Sequence, residues 1–363
     1  MAIPERDEQM GRAQLTRVVV VDDSPSMRLL LEKMINAEPD MRVVGSAPDP
    51  FEARELIKQL QPDVVTLDIE MPGMDGLDFL ERLMRLNPLP VLMISSRTEE
   101  GSDHTLRALE LGAVDVICKQ NLGDKGGLSA MAREVTTKVR LAGTNAGQFQ
   151  RRPPLQIVDR SLTPFGDVQF DRRRIIFVGA STGGTEAIKQ FVEVLPVQCP
   201  PVLITQHMPE GFTTRFAKRL DDCCAVRVKE AEHQELIQAG WVYIAPGHSH
   251  LTVHRRGDGR YETCLSDAPE VNRHRPSVDV LFHSAADEVG PNALAVLLTG
   301  MGKDGAVGML RMREQGALTW SQSPESCVVY GMPRAAFEMG ASMAVGTPRD
   351  LSEKVLMAAK VKT

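Results

Sequence analysis

Aromatic side chains make up only 4% of this 363-residue sequence, with 2 Trp and 3 Tyr. That scarcity argues against the stacking platforms that hold single-stranded nucleic acid. Basic charge is not in excess either. There are 42 Lys and Arg against 48 Asp and Glu, a net charge of -6, which argues against nucleic acid as a partner. No run approaches the roughly 18 apolar residues that a spanning helix needs, so direct insertion into a membrane is not expected. Met1 to Gln14 are polar and charged with no apolar stretch. A signal peptide is therefore not expected, and the expected location is the cytoplasm. The six cysteines, Cys118, Cys199, Cys223, Cys224, Cys264 and Cys327, form no Cys-x-x-Cys pair. A disulfide framework or zinc site is not indicated. Cys118 and Cys327 lie in apolar runs and read as buried small hydrophobes.

What is present is strand–helix alternation, in two stretches. The length suits two domains of roughly 150 residues each. In the first stretch the strand-like runs are residues 18–21, 42–45, 64–67, 91–95 and 114–118. Amphipathic helices lie between them. Met27, Leu30, Leu31, Met34 and Ile35 follow helical spacing; Ala53, Leu56, Ile57 and Leu60 repeat it, and Leu106, Leu109 and Ala113 do so more loosely. Ser24 suits an N-cap, with Pro25 at the first helical position. Nearly all-apolar strands alternating with helices predict a parallel sheet covered on both faces, in the doubly wound, flavodoxin-like (βα)5 order. From residue 142 to about 173 the pattern dissolves into Gly143, Asn145, Gly147, Gln148, Arg151, Arg152, Pro153 and Pro154, which predicts a linker. The expected partition is 16–141, 142–173 and 174–358.

In the second stretch the strand candidates are residues 175–178, 202–205, 226–228, 242–245 and 293–299. Ile188, Phe191, Val192 and Leu195 give a helical face. Residues 251–255 and 260–265 flank Gly257-Asp258-Gly259 and predict a hairpin. The second unit is expected to be a three-layer α/β/α domain with a mostly parallel sheet and one antiparallel excursion.

In a doubly wound sheet the ligand sits beyond the carboxyl ends of the strands. Asp22 and Asp23 end the first strand and Asp68 ends the third, so three carboxylates converge. Such charges repel unless a cation compensates, and oxygen-only ligation suits Mg²⁺. Lys119 and Ser95 end neighbouring strands and aim an ammonium and a hydroxyl at the same edge. A carboxylate nucleophile with these neighbours can make and hold an acyl phosphate.

The second unit opens with Gly179-Ala180-Ser181-Thr182-Gly183, a G-x-S-x-G pattern after a strand and before a helix. One reading is a serine nucleophile exposed on a tight turn; another is an ordinary glycine-rich turn; a third is a dinucleotide site. The third wants an acid at the end of the next strand. That strand ends instead in Gln206-His207-Met208, and His207 could take the proton of Ser181. The strand at 293–299 runs into Gly300-Met301-Gly302-Lys303-Asp304-Gly305, where Asp304 could orient the imidazole or cap a helix. The chain order Ser, His, Asp differs from that of α/β-hydrolases. His248, His250 and His254 flank the hairpin without a carboxylate at ligand spacing, so no metal site is read there. Residues 272–279, Asn-Arg-His-Arg-Pro-Ser-Val-Asp, read as a basic, polar stretch before a helix, either a contact for an acidic substrate, the favoured reading, or a solvated loop.

Two resemblances follow from these motifs. Residues 17–140 resemble a two-component response-regulator receiver domain, with Asp68-Ile69-Glu70-Met71-Pro72-Gly73-Met74-Asp75-Gly76 a specific match. The resemblance implies Asp68 as phosphoacceptor, Asp22, Asp23 and Asp68 as Mg²⁺ ligands, Ser95 as switch hydroxyl and Lys119 as phosphate contact. Receivers usually carry proline after that lysine and an aromatic residue three positions before it; here these are Gln120 and Val116. Residues 174–358 resemble the catalytic domain of the chemotaxis protein-glutamate methylesterases. Gly-Ala-Ser-Thr-Gly-Gly, Thr-Gln-His-Met-Pro, Asn-Arg-His-Arg-Pro-Ser-Val-Asp and Thr-Gly-Met-Gly-Lys-Asp-Gly carry that likeness.

This second resemblance implies Ser181 as nucleophile, His207 as base and Asp304 as orienter, with oxyanion support near Thr182 or Met301. It implies hydrolysis of γ-glutamyl methyl esters on chemoreceptors with release of methanol, and deamidation of selected glutamines. It implies a histidine kinase as phosphodonor and no cofactor for ester hydrolysis, and the expected state is a monomer. Two rivals stand beside it. A DNA-binding output after the receiver lacks a helix-turn-helix with a basic patch. A binding module without catalysis would lack a reactive Ser181.

Overall fold

The structure is a computed structural model that describes residues 15–71, 74–95, 104–105, 107–109, 111–119, 127–144 and 168–361. Its first sheet contains β1 (Thr16–Val21), β2 (Met41–Ala47), β3 (Val64–Asp68), β4 (Val91–Ser95) and β5 (Asp115–Cys118), in the order β2-β1-β3-β4-β5. Every pairing is parallel. Helices α1 (Pro25–Asn36), α2 (Pro50–Leu60), α3 (Gly76–Leu86) and α4 (Gly127–Thr144) connect or cover it. Ser24 caps α1 by accepting from the Met27 amide, with Pro25 in the first turn, as the spacing predicts. Successive residues of a strand face opposite sides. Val19, Val21, Val65 and Leu67 therefore pack into one core and Val18, Val20 and Val64 into the other.

The second sheet has seven strands, all parallel, in the order β15-β14-β13-β6-β7-β10-β8. They are β6 (Ile175–Ala180), β7 (Val202–Gln206), β8 (Arg227–Glu230), β10 (Trp241–Ile244), β13 (Ala293–Leu297), β14 (Leu318–Gln322) and β15 (Ala344–Gly346). β9 (Glu235–Leu236), β11 (His250–Arg255) and β12 (Tyr261–Ser266) form a separate antiparallel sheet around the expected hairpin. Helices α5 (Gly184–Val192), α6 (Phe212–Cys223), α7 (Val278–Glu288), α8 (Ala306–Glu314), α9 (Met332–Glu338) and α10 (Pro348–Ala359) complete this unit. Ile176, Val178 and Ala180 of β6 join one core and Ile175 and Phe177 the other, so β6 is buried on both faces. The fold is thus a flavodoxin-like unit followed by an α/β/α unit with an antiparallel excursion.

The end of the first unit differs from the expected boundary at 141. Helix α4 continues to Thr144, while Phe170 pairs with Lys360 and the Asp171 amide donates to the Ala359 carbonyl. Residues 145–167 of the expected linker lie outside the described residues. Among the described residues no helix is long and apolar enough to cross a membrane.

Candidate active site and phosphoacceptor cleft

Ser181 follows β6 directly, where the chain turns into α5. The turn is possible because Gly183 takes a left-handed φ of 74°. The Ser181 amide donates to the Thr299 carbonyl at 3.0 Å, tying the turn to the end of β13. Gly300 presses against Ser181 from that side. A Cβ there would lie 2.8 Å from Ser181 Cβ and 2.3 Å from Met332 Sδ, so the position has room only for glycine. From the other side Gln206, 4% exposed, donates its Nε2 to the carbonyls of Ser181 and His207 at 2.9 and 3.1 Å. The sequence reading treated Gln206 only as a strand end; it clamps the backbone of both residues.

His207 follows β7, the neighbour of β6. Its Nδ1 lies 3.1 Å from Ser181 Oγ and its Nε2 lies 2.8 Å from Asp304 Oδ2. A tautomer protonated at Nε2 donates to Asp304 and leaves the Nδ1 lone pair facing the serine hydroxyl. The two ring nitrogens are used in the reverse sense from the serine-protease pattern, in which Nε2 faces the serine. The imidazole is 6% exposed and the carboxyl of Asp304 2%.

Asp304 does not cap its own helix, whose N-cap is Gly305. It sits instead at the N-terminus of α7. The amides of Val278 and Asp279 donate to it at 2.6 and 3.2 Å, and the Ser277 hydroxyl and Asn272 Nδ2 at 2.8 and 2.7 Å. A helix N-terminus favours negative charge. Burial works to raise the Asp304 value, but the bonds from His207, Asn272 and Val278 outweigh it and hold the carboxyl well below the usual range. Asp304 therefore stays ionised and fixes the protonated face of His207.

Ser181, His207 and Asp304 thus meet at the carboxyl ends of adjacent parallel strands. The oxyanion donors expected near Thr182 and Met301 are backbone N–H groups and not side chains. Thr182 Oγ1 is committed elsewhere, donating to Asp115 Oδ2 in the first unit at 2.7 Å. Among the described residues the backbone amides of Thr182 and Met301 donate to no protein acceptor and can serve a developing oxyanion. The stretch 272–279, expected to meet substrate, is corrected in part. Arg273 and Arg275 are exposed, but Asn272, Ser277 and Asp279 serve the Asp304 network. Burial, with the nearby charge of Asp304, raises Asp279. His250 is a core histidine that accepts from the Ser277 amide and bonds the Pro269 carbonyl. His248 and His254 are exposed and lie near Glu210 and Glu288.

In the first unit Asp22, Asp23 and Asp68 place carboxylate oxygens within 4.8 Å of one another. Lys119 Nζ donates to Asp68 Oδ2 at 2.7 Å and lies 3.3 Å from Asp22 Oδ2. The second contact is an ion pair whose geometry falls short of a hydrogen bond, which leaves Asp22 Oδ2 buried without a hydrogen-bond partner. A buried carboxylate oxygen that accepts no hydrogen bond, among three acids, suits a hard divalent cation. Burial and the charge of Asp22 push the Asp68 carboxyl up to about 6, against the pull of Lys119. Burial lowers Lys119 less than Asp68 and Asp22 raise it, so it stays charged. A cleft of about 560 Å³, lined by Asp23, Asp68, Glu70, His104 and Lys119 among others, opens onto this site. The side chain of Ser95 and all of Gln120 lie outside the described residues. Val116 is buried, and its carbonyl accepts from Lys138 Nζ of α4.

A three-carboxylate cleft of this kind, joined to a parallel α/β unit with a Ser–His–Asp relay, defines the class: a hydrolase carrying its own receiver domain. The response regulator receiver domain family matches residues 18–130, and the CheB methylesterase family matches residues 176–355. A protein-glutamate methylesterase/protein-glutamine glutaminase 1 of Dechloromonas aromatica is 57% identical over 330 residues, covering 90% of this chain and 93% of its own. A protein of Methylobacillus flagellatus named protein-glutamate methylesterase/protein-glutamine glutaminase is 52% identical, covering 94% and 96%. The crystal structure of the Thermotoga maritima CheB methylesterase catalytic domain superposes with a TM-score of 0.50 at 36% identity, over 51% of this chain and 98% of that one. The chain belongs to the protein-glutamate methylesterase/protein-glutamine glutaminase family.

Proposed function

We propose that this enzyme hydrolyses γ-glutamyl methyl esters on the cytoplasmic helices of methyl-accepting chemotaxis receptors and releases methanol. The observation that carries the reading is the unbroken relay from Ser181 Oγ through His207 to Asp304. Ser181 Oγ attacks the ester carbonyl as Nδ1 of His207 takes its proton. Asp304 steadies the imidazolium through Nε2–H. The oxyanion rests on the amides of Thr182 and Met301. His207 then returns the proton to the departing methoxide, and methanol leaves. Water attacks the acyl-enzyme with His207 again as base, restoring the serine and freeing the glutamate. A glutamine side chain fits the same sequence with ammonia leaving, so selected receptor glutamines are deamidated.

The receiver acts as the switch and the α/β/α unit as the catalyst, in one cytoplasmic chain that works as a monomer. A histidine kinase supplies the phosphoryl group to Asp68. Asp22, Asp23 and Asp68 hold Mg²⁺, which when bound offsets the charge that a phosphoryl group brings to this cleft. Lys119 holds the phosphoryl oxygens and Ser95 supplies the switch hydroxyl.

Regulation works by occlusion. Asp115 of the receiver accepts from Thr182, the residue next to the nucleophile. Asp115 also pairs with Lys138, and Val328 of the catalytic unit lies between Gly183 and the receiver core. Unphosphorylated, the receiver covers the approach to Ser181; phosphorylation at Asp68 weakens that packing. The test is methanol release from methylated receptor with and without a small phosphodonor. Wild type should be stimulated and Asp68→Asn should stay at its basal rate. Equal stimulation of both would overturn the regulatory reading, and no methanol from either would overturn the enzymatic one.

A further inference from the structure

His274 lies face to face with His207. The ring centroids are 3.6 Å apart and the planes differ by 13°. Sequence reading gave this residue no role beyond a basic loop. We propose that His274 is a positioning residue for His207, fixing the plane in which Nδ1 meets Ser181 and Nε2 meets Asp304. The proposal rests on the Ser181–His207–Asp304 reading above and deepens it.

The need for such a residue follows from geometry. With its Cβ held by the backbone, the imidazole can still rock about the Cβ–Cγ bond, resisted only by the hydrogen bonds of 3.1 Å at Nδ1 and 2.8 Å at Nε2. The lone pair of Nδ1 lies in the ring plane, so that rocking swings it off Ser181 Oγ. Proton transfer is sensitive to that alignment. A flat group stacked on one face removes the rocking.

The turn that delivers His274 is built for this purpose. Asn272 and Arg273 take left-handed φ values of 55° and 68°, conformations that cost energy in residues with a side chain. Val271 and His274 close the turn by exchanging both backbone hydrogen bonds, at 3.1 and 3.0 Å. From the same turn Asn272 Nδ2 donates to Asp304 Oδ1 and Asp279 Oδ2, both at 2.7 Å. One strained turn therefore holds the orienting carboxylate with one residue and the imidazole with another.

The charges around His274 suit the role. It stacks on His207, and the charges of Asp304, Lys138 of α4 and Arg273 also act on it. Burial and the neighbouring His207 lower it to about 4. At neutral pH His274 is therefore uncharged. When His207 takes the serine proton, the cation forms against an uncharged π face instead of a like charge.

The experiment compares His274→Phe with His274→Leu in the full chain, phosphodonor present, following methanol release from methylated receptor. Phe keeps a flat ring and discards both nitrogens; Leu fills comparable volume without a plane. We expect Leu to lower kcat by about ten- to a hundredfold with KM little changed, and Phe to stay within about threefold of wild type, since misalignment of a reacting group costs rate more than binding. Thermal melting of each variant separates misfolding from misalignment, and if Leu destabilises the chain, His274→Met, which also lacks a plane, takes its place in the comparison. Equal loss in Phe and Leu, no loss in Leu, or a loss confined to KM would overturn the proposal. Ser181→Ala, run alongside, separates the two levels. If it keeps activity the nucleophile reading fails; if it is inactive while the His274 variants are unaffected, only the positioning role fails.

Discussion

Removing the receiver's hold on Thr182 should release basal activity. Asp115→Ala deletes the acceptor of the 2.7 Å bond from Thr182 Oγ1 while leaving every catalytic side chain in place. A hydrogen bond to a charged group contributes about 1.5–3 kcal/mol when shielded from water. The Asp115 side chain is 21% exposed, so solvent screening reduces this to about 1–2 kcal/mol. At 1.4 kcal/mol per tenfold, the balance between covered and open forms shifts about five- to thirtyfold. Lys138 remains paired with Glu134 at 2.9 Å, so the substitution leaves no bare buried cation. The assay is methanol release without phosphodonor. The variant's basal rate should rise by that factor, limited by the fully stimulated wild-type rate, and further stimulation should shrink correspondingly. Asp115→Asn keeps a neutral acceptor and should fall between the two. A well-folded Asp115→Ala with the wild-type basal rate and full stimulation would refute the occlusion argument.

Three other outcomes follow from the geometry. Asp304→Asn replaces a carboxylate that accepts from His207, Asn272, Ser277, Val278 and Asp279. Its kcat for methanol release should fall about 10³- to 10⁴-fold, because an amide cannot steady the imidazolium. Gly300→Ala forces a methyl group to 2.8 Å from Ser181 Cβ and should lower kcat by about a hundredfold or more, read in the same assay. The third outcome is pH-dependent. Burial lifts Asp68 to about 6, above its unfolded value of about 4, so the folded protein holds this proton more tightly. The stability it contributes is present below about pH 4 and is lost as pH rises through about 6. In Mg²⁺-free buffer the melting temperature of wild type minus that of Asp68→Asn should therefore decline across that window; a flat difference contradicts the burial argument.

The parallel sheets were legible because their strands are short apolar runs. β1, β3, β6 and β13 lie between helices whose spacing is equally plain. β14 was missed for a physical reason. Its sequence, Leu-Thr-Trp-Ser-Gln, looks half polar, yet residues 319–322 are all buried. Thr319 donates to the Ala341 carbonyl and Ser321 to Ser342, so the polar groups are satisfied inside. β9 and β15 span two and three residues, too few to establish a period. In the site, Ser181, His207 and Asp304 could be read because each ends or follows a recognisable strand. Asn272 and His274 could not, because two left-handed residues turn a basic-looking loop inward and backbone angles leave no periodic trace. The contact between Thr182 and Asp115 was invisible for a different reason. It exists only where the two units meet, 67 residues apart in the chain.

The central claim is that Ser181 carries the acyl group between ester and water. Its most direct measurement is acid quenching during turnover of a γ-methyl-glutamyl receptor peptide, followed by mass mapping of the enzyme. The account predicts a glutamyl ester on the peptide containing Ser181 in wild type. It predicts neither adduct nor methanol with Ser181→Ala. Methanol released at the wild-type rate by Ser181→Ala, or an adduct on another side chain, would contradict it.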